Sequence, residues 1–186
     1  MQSLVLPRGA TFLVTPSNGL ISGALTVSQG YLRLASTFHS SLVDVTLAFS
    51  APNQPADLWL QSPQVVVVEA LTDAVFQFDS PKLQPVEPEL IRTWLLSFAL
   101  VRHCLGADQR VNQLLYLLAD RFGIPSADGV SIPFLLSHSR IAELIGVTRP
   151  TVTRQLVRLR NEKSIKVFEK DLRLLLTNDF LKMSRS

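Results

Sequence analysis

The stretch LSHSRIAELIGVTRPTVTRQLVRLR, Leu136 to Arg160, decides how the chain is read, because it sets two short amphipathic helices around a tight turn. Ile141, Leu144 and Ile145 recur at the three- and four-residue spacing of one helical face, and Ser137 precedes them where a hydroxyl caps free amides. Gly146 ends that helix. Val147 fills the corner, Thr148 is placed to cap a second helix, and Pro150 falls in its first turn, where a missing N–H costs nothing. Along the second helix Val152, Leu156 and Leu159 share the inner face, while Thr151, Arg154 and Arg158 lie roughly opposite. One face packs and the other is offered, which is the pattern of a helix-turn-helix reader of DNA.

Charge supports that reading. From Leu136 onward the chain carries eleven Lys or Arg against five Asp or Glu, whereas the remainder has seven against ten. A chain polarised in this way suits a polyanion, since neutralising phosphates and releasing their counterions supplies most of the affinity. With 186 residues, 47% of them hydrophobic, there is enough apolar material for one large or two small domains, which excludes a disordered chain. Cys104 is the sole cysteine and cannot close an internal disulfide, and the start of the chain has no basic segment followed by a long apolar run. The most apolar stretch, Leu90 to Leu105, holds Arg92, Arg102 and His103 and is too short and too charged to span a bilayer with ease. A cytoplasmic protein without a membrane segment is expected.

Working outward, Leu4 to about Phe78 has the texture of strands. Runs such as TFLV, YLRLA, LVDVTLAF and VVVVEA are rich in β-branched residues and bounded by Pro, Gly, Asn and Ser. From about Glu87 to Gly123 the period becomes helical. Pro88 opens a helix whose stripe of Leu90, Trp94, Phe98, Val101 and Leu105 suits a helix–helix seam; the same side chains would also serve to pack against the chain's own β domain. A second helix carries Val111, Leu114, Leu115, Leu118 and Phe122, and Gly123 is expected to end it in the left-handed conformation. GIPSADG then reads as a loop. Beyond the reader helices, IKVFEKDLRLLL alternates about Lys170-Asp171 as a hairpin wing, where Lys163, Lys166 and Lys170 either touch phosphate or guard a strand edge.

A small β domain, a striped helix and a C-terminal winged helix containing TRPTVTRQLVRL together resemble the CRP/FNR superfamily of bacterial transcription regulators. DQRVNQLLYLLADRFGIPS through LSHSRIAELIGVTRPTVTRQLVRLR is most similar to the cyanobacterial nitrogen-control branch, whereas in the N-terminal part only GYLRLAS, near Gly30, resembles a family strand. The resemblance implies an α+β architecture: a reduced β-roll over residues 1–86, a dimerisation helix over 87–109, and a winged helix-turn-helix over 110–186. It implies a homodimer joined through Trp94, Phe98, Val101 and Leu105, laying two reader helices in successive major grooves about 34 Å apart on a palindromic site. Arg149 and Arg154 match base-contacting arginines, suited to forked bonds with guanine O6 and N7, and Thr153 joins them. Ser137, Ser139, Thr148, Thr151 and Arg158 fall at phosphate-contacting positions, although for Ser137 and Thr148 capping alone is the alternative. Pro150 stands where the best-known member has a glutamate that accepts from cytosine N4, so half-site preference should differ there.

The same resemblance brings no effector. Nucleotide-binding members carry a Gly-Glu pair and then an Arg-Ser pair; here the stretch reads APNQPADLWLQSPQVVVVEA, with Pro63-Gln64 where Arg-Ser would stand. The arginine of the nitrogen-control branch's two-oxoacid site has no counterpart either. Cys104 alone cannot hold an iron–sulfur cluster, His39 and His103 are isolated as haem ligands, and no nucleophile with its base or phosphate loop is present. Trp59 and Trp94 read as packing aromatics. The expectation is therefore a non-enzyme with no cofactor, no metal and no catalytic residue, whose partners are double-stranded DNA and a second copy, with RNA polymerase or a regulatory protein left open. A small-molecule sensor with an unfamiliar site and a docking module that keeps the winged helix for protein contacts stay as alternatives.

Overall fold

The computed structural model describes residues 3–38, 44–61, 64–79 and 88–183. His39, Pro63 and the segment joining the β region to the first helix lie outside the described residues. Internal contacts divide the chain into two units, Met1–Leu96 and Ser97–Ser186.

The first unit is built from β1 (Leu4–Leu6), β2 (Thr11–Val14), β3 (Leu20–Gln29), β4 (Leu32–Phe38), β5 (Val45–Ser50), β6 (Ala56–Gln61), β7 (Gln64–Ala70) and β8 (Ala74–Asp79). They form two four-stranded sheets, ordered β1-β8-β3-β6 and β2-β7-β4-β5, with every pairing antiparallel. Leu25, Leu34, Val66 and Phe76 are wholly buried here, each worth about 1.5–3 kcal/mol of transfer free energy. Among them sits Arg33, also with no exposed surface. Its Nε donates to Thr46 Oγ1 at 2.9 Å, one Nη pairs with Glu69 at 2.7 Å and the other with Asp44 at 2.8 Å, so β4 is tied to both of its neighbours. A buried cation is tolerable only when charged and polar partners surround it in this way, although Nη2 meets Asp44 as an ion pair without hydrogen-bond geometry.

Helix α1 (Glu89–Arg102) straddles the division between the units. Its first turn is set by Arg92, whose hydrogen bond to Glu89 holds that carboxyl below the usual carboxylate range. The apolar stripe is largely buried within the single chain. Trp94, Phe98 and Val101 are 2%, 4% and 6% exposed, and Trp94 meets Phe49 edge-on at 5.1 Å. Leu105 lies beyond the helix end and is 96% exposed, outside any stripe. The exposed side of α1 carries Leu96 and Leu100 instead.

The second unit contains α2 (Ala107–Phe122), β9 (Ile124–Ser126), β10 (Gly129–Ile132), α3 (His138–Ile145), α4 (Arg149–Asn161), β11 (Ile165–Phe168), β12 (Arg173–Thr177) and α5 (Asn178–Met183). Val111, Leu114, Leu115, Leu118 and Phe122 are buried along α2, as the spacing predicts. Two local expectations fail. GIPSADG is a hairpin, not a loop: Ser126 pairs with Gly129 across Ala127-Asp128, and the wing extends into a four-stranded sheet, β11-β12-β10-β9. Gly123 is extended, at φ −70° and ψ 133°; it is required because a Cβ would come within 2.2 Å of Ala119 O and Val130 Cγ1. Among the described residues no helix is long and apolar enough to cross a membrane.

Candidate nucleic-acid interface

The turn between α3 and α4 is fixed by local chemistry. Ser137 Oγ accepts from the Arg140 amide at 3.2 Å, and Gly146 ends α3 in the left-handed region at φ 67°, ψ 45°. Thr148 Oγ1 accepts from the Thr151 amide at 3.4 Å and lies 2.9 Å from the Thr151 hydroxyl. Both caps thus satisfy donors that the first helical turn leaves orphaned. Ile141, Leu144 and Ile145 of α3 and Val152, Leu156 and Leu159 of α4 are buried, which fixes what α4 presents.

It presents Arg149 and Arg154, both exposed and, among the described residues, with their guanidinium groups in no ion pair or hydrogen bond. Ser139 is likewise exposed and unengaged. Arg158 is partly occupied, 3.9 Å from Asp108 and 3.8 Å from Glu162. Thr153 is drawn inward: its hydroxyl donates to Arg149 O at 3.1 Å and lies 2.8 Å from His138 Nδ1. That pairing gives Thr153 a bracing role between α3 and α4 and leaves its hydroxyl less available than sequence spacing suggests. Lys163, Lys166 and Lys170 are all exposed, with Lys166 on the edge strand β11.

Two arginines that the sequence reading treated only as charges in an apolar stretch, or passed over, position this motif. Arg102 donates from Nε to Leu144 O and from Nη2 to Glu143 O, each at 2.8 Å; Arg110 donates to Cys104 O at 2.9 Å and to Ile145 O at 3.3 Å. Two guanidiniums therefore take up the free carbonyls at the C-terminus of α3, where the helix dipole also favours cations. A helix that ends in glycine without a basic residue in its own last turn was the available signal.

Comparison with known proteins bears on the same segment. Residues 109–179 match the Crp-like helix-turn-helix domain. The resemblance read from the sequence is thereby borne out for this C-terminal segment. Over 88 residues the chain is 41% identical to the global nitrogen regulator of Synechococcus elongatus, covering 47% of this chain and 39% of that protein. Over 90 residues it is 38% identical to the global nitrogen regulator of a Nostoc species, covering 48% of this chain and 40% of that one. The matched part thus spans about two-fifths of these curated relatives. Among solved structures, a CRP-family transcriptional regulator from Thermus thermophilus aligns over 100% of this chain and 97% of its own, with TM-score 0.68 and 18% identity. A CooA mutant from Carboxydothermus hydrogenoformans aligns over 99% and 86%, with TM-score 0.67 and 17% identity. At such identity these two speak for the fold: an N-terminal double sheet, helices and a C-terminal helix-turn-helix, the α+β architecture expected.

Proposed function

We propose that the protein is a sequence-specific DNA-binding transcription regulator that acts as a homodimer on palindromic promoter sites without a cyclic nucleotide. The observation that carries this reading is the pair Arg149 and Arg154, exposed on a helix whose opposite side is buried and without any partner of their own among the described residues. A guanidinium held ready in this way suits bidentate bonding to guanine. Selection of bound sequences from random duplex DNA is expected to return palindromes with half-sites one helical turn apart. Arg149→Ala or Arg154→Ala should cost about 1–3 kcal/mol of discrimination at one base position. An unchanged specific-to-nonspecific affinity ratio in both variants refutes the assignment.

For the homodimer, the exposure of Leu96, Ala99 and Leu100 at helical spacing on α1, with Trp94, Phe98 and Val101 buried, supports a seam on that exposed face. Leu100→Asp is expected to yield a folded monomer with weakened palindrome binding, measured by sedimentation. Phe98→Asp should instead lower stability, because it puts a charge in a site 4% exposed.

A further inference from the structure

Within the second unit an apolar cavity of about 330 Å³ lies among α2, α3, α4 and the wing. Leu115, Phe134, Ile141, Leu156 and Leu174 line its body. Its volume falls at the lower end of the roughly 300–1,000 Å³ usual for small-molecule sites, and its lining is mainly apolar. Three further lining residues are exposed: Val157, Arg160 and Glu169. Val157 is 47% exposed, an apolar surface that nothing in the chain covers fully. The Arg160 guanidinium and the Glu169 carboxylate make no ion pair or hydrogen bond among the described residues, with each other or with anything else.

One unpaired cation, one unpaired anion and an apolar interior define the complementary ligand. We propose that this cavity binds a free α-amino acid with an apolar side chain, its carboxylate on Arg160, its ammonium on Glu169 and its side chain among the leucines. Arg160 belongs to α4 and Glu169 follows β11, so an occupant bridges the reader helix and the wing. The regulator would then sense a small molecule within its reader unit, not in the β unit. The fixed fork of the guanidinium suits a carboxylate, and a simple monocarboxylate would leave Glu169 facing a second negative charge.

Calorimetric titration of the full chain without DNA tests the site independently of the DNA reading. L-Leucine is expected to bind once per chain and to raise the thermal midpoint. N-Acetyl-L-leucine, which lacks the ammonium, and L-leucinamide, which lacks the carboxylate, should each bind at least 10-fold more weakly. Arg160→Met and Glu169→Gln should each weaken L-leucine at least 10-fold, and Glu169→Gln should leave N-acetyl-L-leucine unchanged. Val157→Phe, at a half-exposed rim position, should abolish binding while the circular dichroism spectrum stays that of the parent. The proposal is overturned if neither L-leucine nor L-phenylalanine binds saturably, if the acetylated compound binds as well as the free amino acid, or if Val157→Phe binds normally.

Discussion

Arg33 in the β unit and Arg149 in the reader unit are the same side chain put to opposite uses. Arg33 has no exposed surface and spends its guanidinium on Thr46, Glu69 and Asp44, whereas Arg149 is exposed and has no partner among the described residues. Water already solvates an exposed guanidinium, so leaving Arg149 unpaired costs folding little; it keeps the donors for something outside the chain. Burying Arg33 removes that hydration, and two hydrogen bonds and a second carboxylate compensate for it. The difference separates a charge that organises a fold from one that the fold displays.

The contrast breaks most readily at Arg33. Arg33→Met leaves Asp44 and Glu69, 25% and 29% exposed, without the cation that each of them pairs with. Breaking a buried pair in this way costs about 3–5 kcal/mol, a large share of the stability of a domain this size. Calorimetric unfolding of the full chain should show the transition of the β unit shifted strongly downward while that of the reader unit keeps its midpoint. Equal shifts in both transitions would mean that Arg33 is not confined to a role in its own unit.

The reader unit was largely legible from sequence, and the β unit much less so, for a physical reason. Caps, glycine stops and helical faces are settled within four residues, so Ser137, Gly146 and Thr148 announce their positions locally. Strand pairing is settled by residues far apart: β3 lies between β8 and β6, partners some thirty to fifty positions away, and LISGALTVSQ carries no clean alternation to reveal it. The hairpin at GIPSADG was missed because Gly, Pro, Ser and Asp are turn formers, although here Asn178 Nδ2 reaches Ala127 O and β10 is completed by β12. Helix α1 misled for another reason. It is apolar on most sides, so two stripes were available; the bulky rings of Trp94 and Phe98 took the interior, and the helix stopped at Arg102 before Leu105 could join them.

A middle-sized effect belongs to the cap. Thr148→Ala removes the acceptor for the Thr151 amide and should cost about 1 kcal/mol, lowering the midpoint of the reader unit alone. Thr148→Ser, which keeps the oxygen, should restore most of the loss. Should Thr148→Ala weaken DNA binding by more than its stability loss explains, with Thr148→Ser restoring it, the hydroxyl serves phosphate as well as the helix; a change in stability alone leaves it a cap.

The smallest expected effect is the one that gives the comparison its meaning. Arg149→Ala and Arg154→Ala remove two exposed side chains that touch no partner among the described residues, and surface changes of that kind shift stability by no more than about 0.5 kcal/mol. Because they lie more than one helical turn apart and share no partner, the double variant should simply add the two small terms. Urea unfolding monitored on the reader unit checks this. A loss of 2 kcal/mol or more in either variant would show that the guanidinium is committed to the fold, as Arg33 is. Loss of base discrimination in that variant would then report damaged structure, and the difference between a stored charge and a displayed one would disappear.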